Sequence, residues 1–175
     1  MPSNLFLTGP RGIGKTTLLW GVLGQHQVSP GGFAVEKVYR HGRRVALDLV
    51  DLSSGRRARL AGFSGHRPVV DHSCFLTVGV PAIAGAMESR RVVVMDELGR
   101  FELAVPAFMH AVMAALDSPL PVVGVIKDES NPFLDAVRAR PDVRVIRLDP
   151  RERAAAEAEF AGALRRLLEG WAGTG

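Results

Sequence analysis

NLFLTGPRGIGKTTLL, residues 4–19, sets a short apolar run directly ahead of Gly9-Pro10-Arg11-Gly12-Ile13-Gly14-Lys15-Thr16 and a helical pattern directly behind it. That is the pattern GxxxxGK[ST] in the strand–loop–helix context it requires. Glycines at 9, 12 and 14 let successive backbone N–H groups curve around an anion without Cβ clashes. A helix starting near Lys15 adds its free N–H groups and its dipole. The stretch predicts a nucleoside-triphosphate site held by Gly9, Pro10, Arg11, Gly12, Ile13, Gly14, Lys15, Thr16 and Thr17. Lys15 is expected to reach the β- and γ-phosphates, and the Thr16 hydroxyl to ligate Mg²⁺.

A second motif lies 80 positions further on. Val92-Val93-Val94-Met95 is a continuous apolar run of the kind buried on both faces of a parallel sheet, and it ends in Asp96-Glu97-Leu98-Gly99. An acidic pair at the C-terminal tip of such a strand faces a ligand crevice. Asp96 is expected to hold the metal or a metal-bound water together with Thr16, and Glu97 to orient and activate the attacking water. The distance between the motifs leaves room for a further strand between them in the sheet, the arrangement in which the adjacent glutamate serves as base. Arg100 is within reach of such a cleft, and Glu102 could orient Arg100 or a water; both also fit surface positions at a helix start.

Between the motifs, residues 31–61 change character. Phe33 to Tyr39, Val45 to Leu52 and Arg57 to Leu60 are β-favouring runs separated by His41-Gly42-Arg43 and Ser53-Ser54-Gly55-Arg56. Tight turns at that spacing predict an antiparallel meander, inserted into or edging a mostly parallel sheet. Phe75 to Met87 has helical apolar spacing, with Pro81 tolerated only in a first turn, so Val78-Gly79 is the expected start. A helix over 104–117, a buried strand Val122 to Ile126, a short helix from Pro132, a strand from Val143 and a last helix from Arg151 to Leu168 complete the alternation. Pro150 is expected in the turn leading into that helix, and residues 170–175 as a frayed tail. The whole predicts one α/β domain over 1–175, a three-layer phosphate-loop sandwich with an antiparallel insert.

Trp20 belongs to the core or flanks the nucleotide, and core is the expectation. Lys127 follows the strand at 122–126 and could lie beside a base; the chain there reads Ile126-Lys127-Asp128-Glu129, so the guanine-selecting Asn/Thr-Lys-x-Asp is absent. Arg151 and Arg153 lie next to the C-terminal end of a strand, where either could approach the nucleotide. Composition adds bounds. The chain has 22 basic and 18 acidic residues, a net charge of +4, too mild to indicate nucleic acid. The single cysteine, Cys74, excludes an intrachain disulfide or a cysteine cluster and is expected as a buried thiol. No secretory leader and no membrane span can be read, so a cytoplasmic setting is expected.

On these motifs the chain resembles the small nucleoside-triphosphatases first known from thermophilic prokaryotes, a family with a vertebrate member described as cancer-related. The resemblance rests on Thr8 to Leu18, on Gly32-Phe33 with Glu36 ahead of a hairpin, and on Asp96-Glu97-Leu98-Gly99 running into Phe101-Glu102-Leu103. It implies Mg²⁺-dependent hydrolysis of the γ-phosphate of ATP, GTP and other triphosphates, in a fold similar to nucleotide kinases. Arg100 stands where the family has lysine, and Glu102 matches its second glutamate, which favours a site role for Glu102. Val35 and Tyr39 replace a threonine and an arginine of the family pattern, Ala46-Leu47 a Gly-Phe pair, and of an Asn-Arg near the last helix only Arg151 remains. Two rivals stay open. A nucleotide or small-molecule kinase would use the same loop, with the arginine-rich 56–67 stretch as its lid. A nucleotide-dependent adaptor or switch would need a protein or RNA partner that nothing in the sequence names.

Overall fold

A computed structural model describes residues 3–64, 67–89 and 91–172. Eight strands form one sheet in the order β5-β4-β3-β2-β6-β7-β1-β8. They are β1 (Asn4–Thr8), β2 (Gly31–Arg40), β3 (Arg43–Asp51), β4 (Arg57–Ser64), β5 (Arg67–Val70), β6 (Val93–Leu98), β7 (Val122–Ile126) and β8 (Val143–Arg147). Strands β2, β6, β7, β1 and β8 are mutually parallel, and β2 turns into an antiparallel run through β3, β4 and β5. The meander is therefore the edge of the sheet, and it runs on past residue 61 to Val70. β7 lies between β1 and β6, so one strand separates the glycine loop from the acidic pair.

The sheet is covered on both faces. Helices α1 (Lys15–Leu23) and α5 (Arg153–Ala172) pack on one side, where Leu7, Leu19, Val125, Phe160 and Leu164 form a core. On the other side lie α2 (Val80–Glu88), α3 (Pro106–Asp117) and α4 (Pro132–Arg138). The centre of that core is aromatic: Phe108 sits with its ring centroid 5.2 Å from Phe33 and 4.7 Å from Phe75. Cys74 is buried beside them, and burial pushes its thiol up to about 12.

Several boundaries differ from the sequence expectation. The helix expected to start at Val78-Gly79 is already helical from 73, with a π turn over Phe75–Gly79 in which the Val80 N–H donates to the Phe75 carbonyl. Pro81 has no N–H, and its ring crowds the carbonyl four residues back, so a wider turn upstream lets the helix continue through it. Gly79 fits this passage because a Cβ there would meet the Phe108 ring at 2.7 Å. At the other end, α5 begins at Arg153 and continues to Ala172, so the tail expected from Gly170 is helical for three residues; 173–175 lie outside the described residues. Pro150 precedes this helix in a turn, where the Arg151 N–H donates to the Asp149 side chain at 2.8 Å.

Gly32 is where the meander joins the parallel sheet. Its φ is +95°, and a Cβ would stand 2.2 Å from the Val94 carbonyl oxygen. Neither the backbone conformation nor the space accepts a side chain. Gly32→Ala is expected to lower stability by about 3 kcal/mol or more, read in a thermal melt as a drop of roughly 6–12 °C. An unchanged melting temperature would contradict this account of the junction.

Candidate active site

The C-terminal ends of β1, β6 and β7 open into a cleft of about 680 Å³. The glycine loop forms one wall. Gly9, Gly12 and Gly14 have φ of +139°, +80° and +95°, and a Cβ on Gly9 would lie 2.5 Å from the Leu148 carbonyl oxygen. The loop can therefore turn its N–H groups inward only with glycine at these positions. Gly14 caps α1, so the first turn of that helix points into the cleft. Lys15 is 8% exposed, and its Nζ donates to the carbonyls of Gly9 and Pro10, each at 2.8 Å. Burial lowers its pKa, opposed by the nearby carboxylates of Glu97, Asp128 and Asp96.

The opposite wall is the end of β6. Asp96 pairs with Val125 of β7 and Leu98 with Ile126, so Glu97 is the extra residue of a bulge. The Asp96 carboxylate is buried and accepts two hydrogen bonds, from Thr16 Oγ1 at 3.0 Å and from Trp20 Nε1 at 3.1 Å. Burial nevertheless dominates and raises Asp96 to about 6. Trp20 was expected in the core; it is half-buried at the core margin, and its indole N–H is spent on the acid. Its position four residues after Thr16 puts both on one face of α1, which is the signal that could have found it. Glu97 is half-exposed, with Lys127 Nζ 3.8 Å from its Oε1.

The turn after β6 completes the floor. Glu102 is only 3% exposed, and its Oε1 accepts the Gly99 N–H at 3.0 Å, while Oε2 is buried with no hydrogen-bond partner. Burial raises Glu102 to about 7. Arg100 is exposed at the rim, with its guanidinium 5.4 Å above the Phe101 ring, and Lys127 approaches the same ring at 5.5 Å.

Most of the residues singled out in the sequence come together in this cleft: Gly9 to Gly12, Gly14 to Thr17, Asp96, Glu97, Arg100, Glu102 and Lys127 all line it. Ile13 and Arg151 do not. The Ile13 carbonyl instead accepts a hydrogen bond from Arg153, which also packs against Gly14. Of the two arginines named at the start of the last helix, Arg153 is thus the one in contact with the loop. Asp128, Lys37 and Arg44 line the cleft too without having been singled out as site residues; Arg147 grips Asp128 through two hydrogen bonds of 2.6 and 2.7 Å.

The two raised carboxyls link folding to pH. Between their ordinary values, 3.8 and 4.5, and their folded values of about 6 and about 7, the folded chain keeps protons that the unfolded chain has released. Their contribution to stability is complete at low pH and is lost as pH rises through about 7, on the order of 3 kcal/mol for Glu102. Glu102→Gln is expected to flatten the fall in melting temperature between about pH 5 and about pH 8. Parallel curves for wild type and variant would contradict the raised pKa.

Comparison with known proteins places this geometry. Residues 4–160 match the family described as NTPase. A nucleoside-triphosphatase THEP1 of Methanopyrus kandleri is 37% identical over 153 residues, covering 82% of this chain and 84% of that protein. The human cancer-related nucleoside-triphosphatase is 34% identical over 174 residues, covering 87% and 92%. The solution structure of a human cancer-related nucleoside triphosphatase superposes with a TM-score of 0.75 at 30% identity, covering 93% of this chain and 97% of that one. The mostly parallel sheet with its antiparallel edge, sandwiched by helices, is the fold of these proteins. The chain belongs to the THEP1 and cancer-related nucleoside-triphosphatase family of phosphate-loop proteins.

Proposed function

We infer that the chain hydrolyses nucleoside 5′-triphosphates to the diphosphate and phosphate in an Mg²⁺-dependent reaction. The observation that carries this reading is the pairing of the glycine loop with Asp96-Glu97 across a single strand, closed by the 3.0 Å contact of Thr16 with Asp96. The loop N–H groups and the first turn of α1 would hold the phosphates. Lys15 would exchange its two carbonyl partners for phosphate oxygens, carrying its positive charge to where negative charge gathers in the transition state.

Thr16 and Asp96 present oxygen donors alone, which suits a hard cation that takes its remaining ligands from water and phosphate. A cation there would also offset the desolvation that raises Asp96. When bound, Mg²⁺ would supply charge neutralisation at the phosphate oxygens. Glu97, freed from the β6–β7 ladder by its bulge, would accept a hydrogen bond from the attacking water and then its proton. Lys127 Nζ, 3.8 Å from Glu97 Oε1, would help to hold that carboxylate in place. Glu102 is a positioning residue in this scheme: through the Gly99 N–H it would fix the turn that follows Glu97. Arg100 and Lys127 would meet outer phosphate oxygens at the rim.

Phosphate release should appear with Mg²⁺ and any of several triphosphates, and disappear with chelator. Lys15→Ala is expected to lower turnover at least about 100-fold with weakened triphosphate binding. Glu97→Gln is expected to lower it about 10²- to 10⁴-fold while binding survives. Phosphate release at near wild-type rate from Glu97→Gln would remove Glu97 from the role of base.

A further inference from the structure

The cleft has a wall that attack by water does not use. Beyond Glu97, on the side away from β8, it is formed by the meander: Lys37 of β2, Arg44 and Leu47 of β3, Leu60 and Phe63 of β4, and Pro68 of β5. Leu60 is buried, and Leu47, Phe63 and Pro68 are half-buried, giving an apolar floor at the edge of a charged site. A bulge opposite Leu47 and Asp48 leaves Leu60 without a partner on β3. A pocket that only admitted water to a phosphate would need no such floor. A largely apolar lining with a few placed polar groups is how small organic molecules are held.

The charges on this wall point the same way. Arg57 and Arg59, on the same strands, are ion-paired with Glu36 and Asp48. Among the described residues Lys37 and Arg44 have no such carboxylate partner. The Arg44 guanidinium lies 4.5 Å above the Phe63 ring, which fixes its plane and leaves its N–H groups free to bind an anion. Lys37 is near enough to Lys15 that its charge disfavours the Lys15 ammonium. Two unpaired cations thus flank an apolar floor a short way past the acid that faces the terminal phosphate.

Position decides what such a ligand would do. This step rests on the hydrolytic reading above: with the terminal phosphoryl group against Glu97, the meander wall would face the γ-phosphorus from the side away from β1 and β8. We propose that the meander wall is a phosphoryl-acceptor subsite for a nucleoside monophosphate, its phosphate held by Lys37 and Arg44 and its base laid on Leu47, Leu60 and Pro68. An oxygen of the acceptor phosphate attacks the γ-phosphorus, and the bond from that phosphorus to the β,γ-bridging oxygen breaks. The bond's electron pair departs on the donor diphosphate, so one triphosphate and one monophosphate give two diphosphates. The ionised acceptor oxygen has no proton to lose, and Glu97 serves only when water takes its place.

The test follows the γ-label of ATP with the full chain and Mg²⁺, alone and with AMP, GMP, CMP or UMP, separating labelled diphosphate from labelled phosphate. Labelled diphosphate with at least one monophosphate, at the expense of phosphate release, is the expected result. Arg44→Gln should then lower the ratio of transfer to release at least tenfold, with partial recovery in Arg44→Lys. Label only in inorganic phosphate, with all four monophosphates, overturns the acceptor subsite and leaves the hydrolytic reading standing. Transfer with no phosphate release in the absence of acceptor supports the subsite and overturns hydrolysis. Label that never leaves ATP overturns both.

Discussion

Thr16 and Asp96 are 80 residues apart in sequence, and their side chains meet at 3.0 Å. That contact depends on nearly everything else in the fold. The glycine loop must leave β1 at the sheet's C-terminal edge, β7 must insert between β1 and β6, and β6 must carry its acid to the same edge. Parallel strands make this possible because all their C-terminal ends lie on one side, where the crevice of an open α/β sheet forms. The acid is buried to make the contact, and burial opposes its charge. Its two hydrogen bonds, from Thr16 and Trp20, partly offset that opposition; a bound cation would do so more fully.

The asymmetry of the sheet gives the cleft its second character. On the β8 side, α5 comes close to the loop, with Arg153 hydrogen-bonded to the Ile13 carbonyl. On the β2 side the chain spends residues 31–70 on four strands, three of them antiparallel, before returning to helix. Those strands give α2 and α3 a surface to pack on, through Phe33 and Leu49, and they extend the cleft beyond the acidic pair with apolar and cationic side chains. One insert therefore builds core and cleft together. Gly32 shows the constraint: the meander can join β6 only where no Cβ stands between Gly32 and the Val94 carbonyl.

Much of this was legible in the sequence, and for a physical reason. The glycine loop, the apolar strands and the acidic pair are local patterns, each fixed by backbone freedom or burial within a few residues, and they appear where expected. The separating strand was allowed by spacing but not fixed by it, since strand order depends on which crossover each helix makes. Pro81 stands in the first turn of α2, as its sequence position required, but the π turn that carries the helical run back to 73 leaves no mark in apolar periodicity. Trp20 carried a signal, its i+4 relation to Thr16, that was outweighed by the usual burial of tryptophan. The meander wall was legible only in part: the alternating charges Glu36, Lys37, Arg43, Arg44, Asp48 and Asp51 leave one or two to face the cleft, but which faces of β3 and β4 look into it depends on a bulge, and a one-residue shift exchanges the two faces. Arg153 replaces Arg151 at the loop for a similar reason, because the helix starts two residues later than its flanking proline suggested.

The central claim is that this arrangement directs water at the γ-phosphorus. Turnover of ATP in water enriched in ¹⁸O, with the products resolved by mass, tests it most directly. The account predicts one solvent oxygen in each released phosphate and none in the diphosphate. Solvent oxygen in the diphosphate, or release of pyrophosphate, would contradict it.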